Sequence, residues 1–172
     1  MKNHKEKNNQ GLSFLELLIA LMIFSIAILG IFEIFPVALN AQLKASQEII
    51  ATNLARALMA EIMAKDFVDP DEGGTTIGLN ANEFINVRTT LDDIDDYHLW
   101  NETPPKNLNN LGMDGTDGRP DYSDFTRSVS VVFCVVSGTI TCPGAGTDYK
   151  QVTVTVTGPF VRDIVLSQIK AK

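Results

Sequence analysis

The amino-acid sequence predicts an α+β protein in which one long N-terminal helix packs its second half on a small antiparallel sheet. Three observations predict it. Leu17 to Phe32 is an apolar run without a single charge. From Val37 to about Lys65, apolar residues recur at helical spacing between charged ones. The last third of the chain holds segments rich in β-branched residues, separated by turn residues.

Residues 1–11 (MKNHKEKNNQG) are polar and basic with no apolar period, and read as a leader outside the fold. Lys2, Lys5 and Lys7 against Glu6 give this stretch a net charge of +2. The chain carries −7, so loss of the leader would leave −9. Positive charge directly before an apolar run favours holding the N-terminus in the cytoplasm, which puts whatever follows the run on the far side of the membrane. An acidic chain with no basic stripe has no means of neutralising phosphates, which argues against a nucleic-acid partner.

Residues 12–38 form the expected transmembrane and assembly helix. The sixteen uncharged residues LLIALMIFSIAILGIF rise about 24 Å as a helix, short of a hydrocarbon core of about 30 Å. The flanks Leu12–Leu15 and Ile34–Leu39 supply the missing length and place Glu16 and Glu33 within or beside the span. Pro36 predicts a kink or one loosened turn, with Gly30 adding flexibility nearby.

Residues 39–172 are expected to form the head. Its helix presents Leu39, Leu43, Ile50, Leu54, Leu58 and Ile62 on one face, with Lys44, Gln47, Glu48, Arg56 and Glu61 elsewhere. Residues 66–124 are broken by Gly73-Gly74, Pro104-Pro105, Gly112, Gly115, Gly118 and Pro120, and read as a long connecting region with one short strand near Phe84–Leu91. Asp92, Asp93, Asp95 and Asp96 within it read as a solvated acidic loop. Residues 125–169 predict a meander of three strands: Phe125–Val136, Gln151–Thr157 and Val161–Ile169. In QVTVTVT, Val152, Val154 and Val156 share one face, and Gly158-Pro159 predicts a tight turn before the last strand.

The window Gly11-Leu12-Ser13-Phe14-Leu15-Glu16-Leu17-Leu18-Ile19-Ala20-Leu21 resembles the processing signal of type IV pilins and type II secretion pseudopilins. The resemblance implies that a prepilin peptidase cuts between Gly11 and Leu12 and that the new amino group of Leu12 is N-methylated. It also implies that Glu16 serves assembly by meeting that amine on a neighbouring subunit. A carboxylate in an apolar helix costs a few kcal/mol, and ionisable groups at such depth mark function. Leu12 stands where Phe or Met is commoner, and Glu33 stands where major pilins carry a helix-bending proline. Asp92-Asp93-Ile94-Asp95-Asp96-Tyr97-His98, with Trp100 and Pro104-Pro105, resembles a segment of minor pilins related to those of mannose-sensitive haemagglutinin pili.

The resemblance implies a structural subunit, minor pilin or pseudopilin, held first in the bacterial inner membrane and then in a periplasmic or extracellular fibre. Its partners would be other pilin subunits, the peptidase and N-methyltransferase, the inner-membrane assembly platform and, before assembly, lipid. Two alternatives stay open. One is a non-polymerising, single-pass, membrane-anchored binding protein. The other is a secreted protein with an ordinary signal, for which Ala38-Leu39-Asn40-Ala41 is a poor cleavage site.

Cys134 and Cys142 lie where disulfides persist if the head is outside the membrane, and a bridge is expected, with two free thiols as the alternative. No third ligand stands near them for a metal. Asp114-Gly115-Thr116-Asp117-Gly118 with Asp121 and Asp124 invites a calcium reading. The run lacks the twelfth-position glutamate of an EF-hand, and a plain Asx-turn loop is preferred. His98 has no motif that supplies a nucleophile or an orienting partner, and no nucleotide fingerprint occurs. No cofactor, resident metal or enzymatic activity is expected.

Overall fold

Helix α1 runs from Phe14 to Met63, fifty residues, and continues through Pro36. The computed structural model describes residues 13–69, 77–79, 83–84, 87–107, 109, 111–145 and 148–172. The expected leader and the Gly11–Leu12 junction lie outside the described residues. The chain divides into two compact units, Met1–Leu43 and Lys44–Lys172.

In the first unit the helix shows no buried side chain, and its only polar interruption between the two glutamates is satisfied internally. Ser25 donates its hydroxyl proton to the Leu21 carbonyl at 2.7 Å, the back-bond that lets a serine sit in an apolar helix.

In the second unit the buried helical residues are Ala51, Leu54, Ala55, Leu58, Met59 and Ile62. Their spacing of three and four follows the helical repeat and makes one stripe facing the core. The stripe begins later than the sequence predicts: Leu39 and Leu43 are exposed, and Ile50 is half-buried. The buried stripe lies wholly within the second unit, from Ala51 to Ile62.

The sheet is antiparallel throughout and contains five strands: β1 (Asn101–Glu102), β2 (Thr126–Ser137), β3 (Thr139–Thr141), β4 (Tyr149–Thr157) and β5 (Ile164–Ala171). The order is β1-β2-β4-β5, with β3 folded back on the far end of β2. In β4 every second residue is buried, from Lys150 through Val152, Val154 and Val156. Those valines, together with Val129 and Val131 of β2, close over the helical stripe and form one hydrophobic cluster with Leu91, Ile94, Tyr97, Trp100 and Phe125.

Two expectations are corrected in detail. No strand forms near Phe84–Leu91 among the described residues; Arg88–Thr90 is a 3₁₀ turn, whose Arg88 is pulled inward by an ion pair. The connection after β4 is a six-residue loop, 158–163, rather than a tight turn. Gly158 is required there: a β-carbon on it would come within 2.4 Å of the Phe125 ring, which seals this end of the core.

Candidate functional site

Glu16 lies in the first turn of α1 and is exposed, between Leu15 and Leu17, which are exposed too. No residue from 14 to 46 is buried. Exposed apolar side chains over this length suit lipid or other apolar helices. Within it, Glu16 and Glu33 are the only charged groups up to Lys44. A lone carboxylate in hydrocarbon is costly, and a cation brought to it removes the cost.

In the head, the aspartate cluster is not the solvated loop the sequence suggests. Asp93, Asp95 and Asp96 are buried, and Asp92 alone is exposed. The segment folds into a reciprocal cap. Asp93 Oδ1 accepts the amide protons of Asp95 (2.6 Å) and Asp96 (3.2 Å), and Asp96 Oδ2 accepts those of Asp92 (2.8 Å) and Asp93 (3.0 Å). Each carboxylate thus satisfies backbone donors that a tight turn leaves without partners. Asp66 pairs with this turn through the Ile94 amide to its own carbonyl, at 3.1 Å. Burial, reinforced by the neighbouring carboxylates, holds Asp93 and Asp96 above the usual carboxylate range.

Asp95 faces the sheet. Its Oδ2 accepts from the Lys150 ammonium at 2.7 Å, and that ammonium also donates to the Phe67 carbonyl. Lys150 is 1% exposed and lies against the rings of Phe67 and Phe133. Burial pushes Asp95 up, and the Lys150 contact opposes it. His98 closes the turn by accepting the Val131 amide on Nδ1 at 3.1 Å, a structural use.

Trp100 is the centre of a second polar group. The guanidinium carbons of Arg88 and Arg127 lie 5.1 and 5.8 Å from its ring centroid. Arg88 donates to Glu61 at 2.8 Å and to the Lys106 and Asn107 carbonyls. Arg127 donates from two guanidinium nitrogens to a single oxygen, Glu102 Oε1, through Nε at 2.7 Å and through a second, shorter bond. Tyr97 donates its hydroxyl proton to Glu61 at 3.0 Å, and burial followed by that carboxylate pushes its phenol up. Beside this group runs a groove of about 880 Å³, lined in part by Ile50, Leu54, Ala57, Met113 and Tyr122.

Cys134 and Cys142 are bonded, with α-carbons 4.5 Å apart, and tie β2 to the residue after β3. In the loop that invites calcium, Asp114 Oδ1 takes the amide and hydroxyl of Thr116, and Asp121 Oδ1 takes the Ser123 amide. These are Asx turns, and they hold both carboxyls below the usual range. Among the described residues, the carboxylates grouped closely enough for a shared ion are a different set: Glu83, Asp92 and Asp96, with oxygens within 4.8 Å of one another.

Lys150, Arg127, Glu61, Arg88 and Glu102 carry this architecture; the sequence places Glu61 only among the polar residues of the helix and gives the other four no role. A signal existed for two. Lys150 is in phase with Val152, Val154 and Val156, and Arg127 with Val129 and Val131, so each had to point into the core.

Comparison with known families finds one match. Residues 7–32 fit the prokaryotic N-terminal methylation motif, and the match spans Gly11, Leu12 and Glu16. No curated protein matched the chain. No solved structure matched it either.

Proposed function

We propose that this chain, which carries the type IV pilin signature and the long apolar helix that accompanies it, is a structural subunit of a type IV pilus or type II secretion fibre, a minor pilin or pseudopilin. The observation that carries the reading is the coincidence of the methylation motif with an exposed apolar helix surface and a single carboxylate, Glu16, in its first turn. In this reading, cutting after Gly11 creates the amine of Leu12, and the amine of one subunit meets Glu16 of the next. Opposite charges in a water-poor setting attract strongly, whereas either alone is costly. The helix is thus an anchor in the inner membrane before assembly and a fibre core afterwards, with the head on the periplasmic side. The head itself, tied together by buried ion pairs and a disulfide, supports a structural rather than a catalytic role.

The test is the fate of Glu16→Ala in cells, compared with Gly11→Val. Gly11→Val accumulates as the uncut precursor, heavier by the leader. Glu16→Ala is cut and keeps a folded head, but it stays in the membrane and is depleted from sheared fibres. Entry of Glu16→Ala into fibres at the parent level would remove the charge-pair account. It would instead favour a membrane-anchored binding protein that does not polymerise.

A further inference from the structure

We infer that the head binds a long-chain fatty acid, a single apolar tail with a carboxylate head, in the groove beside the second half of α1. The inference does not depend on the fibre reading. The groove holds about 880 Å³, within the range of small-molecule sites, and its described lining residues all belong to the second unit. One wall is a flank of the helix. Ile50, Leu54, Ala57, Ala60 and Ala64 recur there at spacings of three and four, and share a face about 21 Å long. Met113 and Tyr122 face the Ile50 end: the Tyr122 amide donates to the Met113 carbonyl, and Tyr122 meets Ile50 again in a smaller cleft next to it. At the other end stand Glu61 and Lys65, with Arg88 bonded to Glu61 and to the Lys106 carbonyl. The groove is therefore apolar toward one end and cationic toward the other, which is the pattern of an amphiphile.

The cationic end has charge to spare, in a chain whose net charge is −7. Lys65, Arg88, Lys106 and Arg127 line the groove against one carboxylate, Glu61. Arg88 is paired with Glu61 and Arg127 with Glu102, and the Lys65 ammonium donates to the Leu91 carbonyl. The Lys106 ammonium, on a half-buried side chain, has no hydrogen bond or ion pair among the described residues. Arg88, whose side chain is 4% exposed, leaves Nε without a partner as well. Burial pulls the Arg127 guanidinium down and the charge of Arg88 adds to it, so positive charge is crowded at this wall. A partly buried cation without a counter-charge calls for an anion. One free ammonium matches one monovalent head. A phosphate is gripped best by the fork of an arginine, and both arginines here are already committed to carboxylates of the chain.

The experiment uses the full chain in non-ionic detergent micelles with palmitic acid that carries a photoreactive diazirine in mid-chain. After irradiation, peptide mass spectrometry locates the label. The apolar helix before Leu43 takes up probe dissolved in the micelle and serves as the internal standard. The expected result is label on the peptides of Ala57 and Met113, at a level set against that standard and displaced by unlabelled palmitate. The methyl ester of the probe, which has no charge, labels the standard equally and the groove roughly tenfold less, because a charged hydrogen bond is lost. Lys106→Met lowers groove labelling by the same factor, and Ala57→Phe, which fills the apolar part, does so too. Lys44→Met, on an exposed turn outside the groove, changes nothing. Trp100 fluorescence verifies the fold of each variant. Groove peptides labelled no more than β5, whose exposed Val165 is an ordinary surface reference, overturn the inference. Equal labelling by acid and ester, or by Lys106→Met and the parent, overturns the anionic head. Protection of the groove that grows with chain concentration overturns the fatty acid in favour of a second copy of the chain.

Discussion

Replacing Lys150 by methionine tests whether the acidic turn is held to the sheet by charge. Methionine keeps the unbranched stem that passes Phe67 and Phe133 but removes the ammonium. Asp95, 3% exposed, then loses its cation, and its Oδ1 already lacks a hydrogen-bond partner. Removing one partner of a buried ion pair costs about 3–5 kcal/mol. The alternative open to Asp95 is to take up a proton. From an ordinary value of 3.8 to neutral pH this costs about 1.4 kcal/mol per unit, or about 4 kcal/mol in all. Both routes converge on about 4 kcal/mol, a large part of the stability of a small head. Urea unfolding of the full chain in micelles reads the effect, because Trp100 is the only tryptophan and is buried in the same core. With a slope of about 1–3 kcal/mol per molar urea, the midpoint falls by more than about 1 M. The double variant Asp95→Leu, Lys150→Met removes both charges and recovers most of the loss, since matched apolar pairs replace buried ion pairs at little cost. A Lys150→Met midpoint equal to that of the parent refutes the reasoning. So does a double variant no more stable than the single one.

Gly158→Ala drives a methyl group to within 2.4 Å of the Phe125 ring, and the ring must move or the loop must shift. The expected cost is about 1–3 kcal/mol in the same urea assay. Reduction of Cys134–Cys142 releases a loop closed across eight positions and lowers stability by about 2–3 kcal/mol. Intact mass with alkylation before and after reduction counts the thiols in protein taken from cells, and a shift of two alkyl groups without reductant would contradict the bridge.

What the sequence by itself determined is the long N-terminal helix, the methylation motif before it and the long strands of the C-terminal third. The charge-free run from Leu17 to Phe32 needs an apolar environment whatever it packs on, and Glu16 within the motif is read from position alone. The alternation in QVTVTVT fixes which face of β4 turns inward, because successive strand residues point to opposite sides. What only the tertiary structure decided is the fate of the charges. Four aspartates in a row of polar residues look solvated, since nothing local says that Asp93 and Asp96 spend their oxygens on each other's backbone amides or that Lys150, fifty-five positions on from Asp95, arrives as its counter-ion. Arg88 and Arg127 likewise meet on Trp100 only when the loop and β2 are brought together. Periodicity reports where a side chain points along its own element. Whether a buried charge is tolerable depends on a partner far away in the chain, and that pairing exists only once the fold has formed.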